Sequence, residues 1–160
     1  MARVNSKTPR PTNKVIVLVH DQRFKKLAAT AKKSALAALA HEKSKKSAVT
    51  VVLTSDAKIR RLNHDYRGFD KPTNVLSFPD GSQDGAITQL GDVVPAYATI
   101  AAEAKAQAKP VADHVSHLVV HGVLHLLGHD HEKAKEAAAM ESREIAILAR
   151  MGIANPYAAY

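Results

Sequence analysis

The chain has 160 residues, 46% of them hydrophobic and 24% charged, which reads as one globular domain able to bury a core without staples. It has no cysteine, so disulfides and thiolate metal sites are excluded, and any transition metal must be held by imidazole and carboxylate. Lys and Arg number 23 against 15 acidic residues, a formal charge of +8 that favours a polyanionic partner such as nucleic acid.

Aromatic residues are only 4% with no Trp, so few base-stacking platforms are expected and backbone electrostatics would supply most of any affinity. No apolar run approaches the ~18 residues of a membrane span. The opening MARVNSKTPRPTNK lacks the apolar stretch of a secretory signal. It reads as a flexible basic tail over residues 1–13, ahead of a single domain over 14–160. The absence of cysteine fits a reducing cytoplasm.

Along the chain, Val15 to Val19 reads as a first strand. The Ala/Leu/Lys pattern from Arg23 to Ala40 predicts an amphipathic helix, and the β-branched run from Ala48 to Thr54 a second strand. Ser55 is placed to cap a helix reaching Tyr66. A loop, RGFDKPT, leads to a short strand from Asn74 to Phe78, and PDGSQDGAITQ reads as a long hairpin loop before Leu90 to Val94. Three helices follow, from Ala96 to Lys109, from Val111 to Leu127 and from Glu132 to Met151, the last ending at Gly152. This order predicts an α/β mixture with a small mixed sheet.

The stretch HGVLHLLGHDH, residues 121–131, concentrates the chemistry. His121 and His125 lie ~40° apart around a helix axis and one turn apart along it, so two imidazoles face one ion. Gly128 supplies the left-handed residue that ends the helix, and His131 then returns to close a three-histidine set. The alternative set His117, His121 and His125 would spread over ~12 Å on a straight helix, too far for one ion. His129 and Asp130 are left as orienting neighbours or solvent-facing residues. Three neutral imidazoles leave an open coordination position, the arrangement of a catalytic rather than a structural site. The spacing is that of zinc peptidases, but Gly122 stands where their general-base glutamate would be.

Taken with YRGFDKPTNVLSFP at 66–79 and LGDVV at 90–94, HGVLHLLGHDH resembles the YbeY family over about residues 48–151. The resemblance implies a metal-dependent endoribonuclease of bacteria and organelles that acts in ribosomal RNA maturation. It implies an α/β fold of the α+β type, with a small four-stranded mixed sheet packed with about five helices and the metal site on a buried helix of the C-terminal half. One Zn2+ per chain is implied on His121, His125 and His131, with Arg67 a functional residue near the cleft. Maturation of the 3′ end of 16S rRNA, ribosome quality control, and unpaired ribosomal RNA and the small subunit as partners are implied with it. The family commonly carries tyrosine at the position of His129 and often aspartate at Asn74.

From the residues themselves, Arg67 suits a phosphate as an always-charged bidentate fork. Lys71 and Arg60 are candidate substrate-groove charges, as is Arg61; Asp92, Ser77 and Asn74 are possible site neighbours. Two rival readings stand beside the nuclease. One is a ribosome assembly factor whose metal is largely structural; the other is a zinc peptidase.

Overall fold

In the computed structural model the described residues are 12–158. Most of the expected tail lies outside them; Asn13 is inside, donating to the Ser44 carbonyl at 2.8 Å and accepting from the Ser47 amide at 3.1 Å. The elements run β1 (Lys14–Val19), α1 (Ala28–His41), β2 (Ser47–Leu53), α2 (Asp56–Arg67), β3 (Val75–Pro79), β4 (Gln83–Asp84), β5 (Ile87–Pro95), α3 (Tyr97–Ala106), α4 (Val111–Leu126) and α5 (Ala134–Arg150). The expected helix from Arg23 begins instead as a 3-10 turn, Gln22–Leu27, because the Asp21 carboxylate accepts from the Arg23 amide and caps it there. That turn buries Phe24 before α1 starts. Ser55 caps α2 as expected, accepting from the Lys58 amide at 3.3 Å.

The sheet order is β1-β2-β5-β3, with β1, β2 and β5 parallel and β3 antiparallel to β5. It has one strand more than the expected four: β4, two residues long, pairs with β5 inside what reads as hairpin loop in sequence. Polar, glycine-bearing residues flank that pairing, which hides it from a hydrophobicity pattern.

Alternation along the strands sends Val15, Val49, Val51, Leu53 and Val93 into the main core. There they meet Ala31, Ala35 and Ala38 of α1 and Val115, Val119 and Val123 of α4. The alanines give α1 a low profile, so α4 also reaches the sheet. On the opposite face a smaller cluster joins Ile59 of α2 to Leu76 and Ala96. No helix of the described residues is long and apolar enough to cross a membrane.

Helix α4 lies against β5 and β3 at Gly122. A Cβ on that residue would stand 2.5 Å from Val93 Cγ1 and 3.1 Å from Ser77 Oγ, and Ser77 Oγ donates to the Gly122 carbonyl at 3.2 Å. The residue at this position therefore faces the sheet and has no room for a side chain. Gly122→Ala is expected to cost about 1–3 kcal/mol of stability through overpacking against a stiff valine, read as a lower denaturant midpoint.

Candidate metal centre

His121 and His125 sit half-buried on α4, and His131 is exposed just beyond it. The ring centroids are 4.9 Å apart for His121 and His125, 4.9 Å for His125 and His131, and 5.4 Å for His121 and His131. One nitrogen from each ring lies within 4.8 Å of the others. Imidazole nitrogens about 2.1 Å from a tetrahedral ion stand about 3.4 Å apart, so small side-chain rotations separate this arrangement from coordination.

The return that delivers His131 is dictated locally. Gly128 takes φ 98°, its amide bonds the His125 carbonyl at 3.0 Å, and the His129 amide bonds the Leu124 carbonyl at 3.0 Å. Those two bonds form a Schellman cap, which reverses the chain within a few residues. Asp130 then accepts from the His131 amide at 2.7 Å. His129 points elsewhere, its Nε2 2.7 Å from Glu42 Oε1 at the end of α1.

Behind the cluster lies Glu144 of α5, only 1% exposed. Its Oε2 is 2.9 Å from His121 Nδ1, and its Oε1 is 2.5 Å from His117 Nε2 and 2.6 Å from the Tyr157 hydroxyl. Burial pushes this carboxyl up, but hydrogen bonds from His117, His121 and Tyr157 outweigh it and hold the group down to about 2. A carboxylate only accepts, so each of those three partners donates. His121 therefore carries its proton on Nδ1 and presents the bare Nε2 for a ligand, the usual device by which a carboxylate fixes a metal-binding histidine. His117 spends its Nε2 proton on the same carboxylate, so it stands outside the three-histidine cluster.

Burial, followed by the neighbouring His121 and His131, lowers the pKa of His125 and favours its neutral, ligating form. The donor set thus fits a divalent ion on chemistry as well as spacing: three imidazoles, one oriented by a buried carboxylate and one with its neutral form favoured.

The cluster opens on a cleft of about 590 Å³. Arg67, Asn74, Ser77, Asp130 and Tyr157 line it together with His117, His121, His125 and His131. Arg67 is steadied from behind, its guanidinium 3.4 Å from Asn63 Oδ1 and 5.2 Å from the Phe69 ring centroid. The other candidate charges fall away from this cleft. Lys71 borders an adjoining hollow, and Arg60 is engaged by Asp70 at 2.8 Å on the exposed side of α2. Asp92 lines a third hollow on the opposite face with His20, Lys58 and Tyr66; burial and then Asp80 raise its pKa.

Against known proteins, the family model described as Endoribonuclease YbeY matches residues 12–152. The chain belongs to the YbeY endoribonuclease family. A curated relative named Endoribonuclease YbeY from Alkalilimnicola ehrlichii is 56% identical over 127 residues, covering 78% of this chain and 75% of that protein. One of the same name from Rhodopseudomonas palustris is 54% identical over 114 residues, covering 69% of this chain and 60% of that protein's length. The solution structure of a Thermotoga maritima protein superposes with a TM-score of 0.57 at 22% identity, over 91% of this chain and 99% of the other, which establishes a shared fold.

Two residues of this YbeY-family site have no counterpart in the motifs that carried the resemblance. Glu144 lies in α5 on the stripe Met140, Glu144, Ile147, Leu148, the buried set of that helix. An acidic residue at an interior position of a helical period is itself a signal, because unpaired carboxylates are almost never buried. Tyr157 lies past the last residue matched to the family model, at 152, and no periodicity marks it.

Proposed function

We propose that the protein is a metal-dependent endoribonuclease that cuts unpaired RNA, with zinc on His121, His125 and His131. Its place would be the cytoplasm, in maturation of the 3′ end of 16S rRNA and in ribosome quality control, with the small subunit as partner. The observation that carries the reading is the sharing of one cleft by three clustered histidines and Arg67. The formal charge of +8 supports a polyanionic substrate.

A divalent ion on the three histidines would supply charge to polarise a phosphoryl oxygen. The chain's own residues do the rest. Glu144 accepts from Nδ1 of His121 and so turns Nε2 to the cleft, and burial lowers the pKa of His125 and favours its neutral form. Arg67 offers a fork to the non-bridging oxygens of the phosphate, where charge develops in the transition state. Lys71, in the adjoining hollow, suits the next phosphate along the strand. Gly122 lies against the sheet, so the helix position that carries the general base in zinc peptidases bears no side chain here.

The test is metal analysis of the purified protein beside cleavage of an unpaired oligoribonucleotide, with and without chelator. Stoichiometric metal and cleavage that stops on chelation and returns with zinc are expected. A chain that holds metal yet cleaves nothing would favour the assembly-factor reading, and one that holds none would remove the metal site altogether.

A further inference from the structure

Composition alone argues against stacking platforms, yet two exposed aromatic residues border the histidine cleft and the hollow beside it. Five large hydrophobic side chains are exposed among the described residues, and three are aromatic: Tyr66, Phe69 and Tyr157. Tyr157 lines the histidine cleft, and Phe69 lines a second hollow of about 390 Å³. The two hollows share Arg67, Thr73 and Asn74 as a common wall.

Phe69 is held outward by a built loop. The buried Asn63 donates to the Lys71 carbonyl at 2.9 Å, the Phe69 amide bonds the Asn63 carbonyl at 3.3 Å, and the Lys71 amide bonds the Phe69 carbonyl at 2.9 Å. The ring remains 48% exposed, with the Arg67 guanidinium 5.2 Å and the Lys71 ammonium 5.6 Å from its centroid. The ring thus stays open to solvent beside two cations, and the hollow it borders falls within the ~300–1,000 Å³ of small-molecule pockets.

The other side of the hollow has different chemistry. Glu103 lines it, accepting from Asn74 at 3.0 Å and paired with His114 at 2.8 Å. A carboxylate repels phosphate, so this hollow is no simple anion site. An unpaired nucleobase suits it on every side: a π face for Phe69, and edge donors and acceptors for Glu103 and Asn74. Its flanking phosphates fall to Arg67 and Lys71.

We infer that this hollow is a base-stacking subsite for the nucleotide next to the phosphate held at the histidine cleft. The inference rests on the endoribonuclease reading above and adds why the substrate must be unpaired: the base has to leave its helix to reach Phe69. When it does, it displaces one cation from the ring, and that cation gains a phosphate partner.

The test is equilibrium binding of a short fluorescent unpaired oligoribonucleotide to the full chain. The strand carries 2′-O-methyl groups to slow cleavage and one abasic site stepped along it. With the wild type, one abasic position should weaken binding roughly 5- to 150-fold. Phe69→Ala should weaken the intact strand by a similar factor and erase the difference between it and that abasic strand, while Phe69→Tyr should keep the difference. A Phe69→Ala chain that still discriminates as the wild type does, or a wild type indifferent to every abasic position, overturns the subsite and leaves the endoribonuclease reading standing. A wild type that neither binds nor cleaves unpaired RNA removes both.

Discussion

His125→Ala is expected to leave the purified protein without stoichiometric metal and to lower RNA cleavage roughly a thousand-fold or more. The size follows from the several kcal/mol of charge stabilisation a metal supplies to a transition state, at a factor of ten per 1.36 kcal/mol. His125 is the central member of the set, 4.9 Å from each of the other two rings, so its loss leaves two imidazoles with the wider spacing of 5.4 Å. The substitution should not unfold the chain, because the half-buried ring faces the cleft rather than the core. It should also change the acid response of the metal-stripped protein. The folded pKa of His125 is depressed, so below the unfolded value near 6.5 the unfolded chain takes up a proton that the folded one refuses. Stability is therefore full above that pH and falls as pH drops towards the folded value, and His125→Ala should flatten this part of the curve. Metal content, cleavage rate and denaturant midpoints between about pH 5 and 8 check it. A variant that keeps one metal per chain would show that His125 is not a ligand.

Much of this was legible in the sequence because it depends on local rules. The 3.6-residue period of α4 gives the spacing of His121 and His125, and Gly128 marks the cap that returns His131 to them. Strand β2 declares itself through a β-branched run and Ser55 through its capping chemistry, whereas β5 begins at Ile87, three residues inside what reads as loop. What escaped depends on contacts between distant segments. Glu144 joins His117 and His121 across 27 and 23 residues, and Tyr157 joins the same carboxylate from a segment with no regular structure. Arg60 and Lys71 depend on tertiary placement in the same way. Charge alone made both substrate-groove candidates, but Arg60 is tied to Asp70 on an exposed face and only Lys71 stands beside Arg67. Gly122 looked like a lost catalytic residue in a peptidase pattern, whereas the closeness of Val93 gives it a packing reason that no one-dimensional motif contains.

Glu144→Gln is expected to weaken metal binding 10- to 100-fold, the usual consequence of removing the carboxylate behind a ligating histidine. The exchange preserves shape but not hydrogen-bond arithmetic. The carboxylate receives donors from His117 and Tyr157 on one oxygen and from His121 on the other. A glutamine keeps one acceptor oxygen and turns an amide donor towards one of those donors. Either His121 loses the partner that keeps its proton on Nδ1, or His117 and Tyr157 lose theirs. Stability should fall by about 1–3 kcal/mol, the cost of breaking buried bonds to a charged group. The pH dependence carries a matching sign. With the folded carboxyl held down to about 2, the stability it contributes is present above its ordinary value of 4.5 and is lost as pH falls through that window, a loss the glutamine variant should not show. Tyr157→Phe removes one donor and leaves the bond to His121 intact, so its metal affinity should stay within about threefold of wild type. Chelator competition measures both affinities, and nitrogen-15 spectra of the histidine rings report which nitrogen of His121 carries the proton. Wild-type affinity in Glu144→Gln, or a zinc bound through Nδ1 of His121, would mean that packing alone orients the ring and that the buried carboxylate serves only the fold.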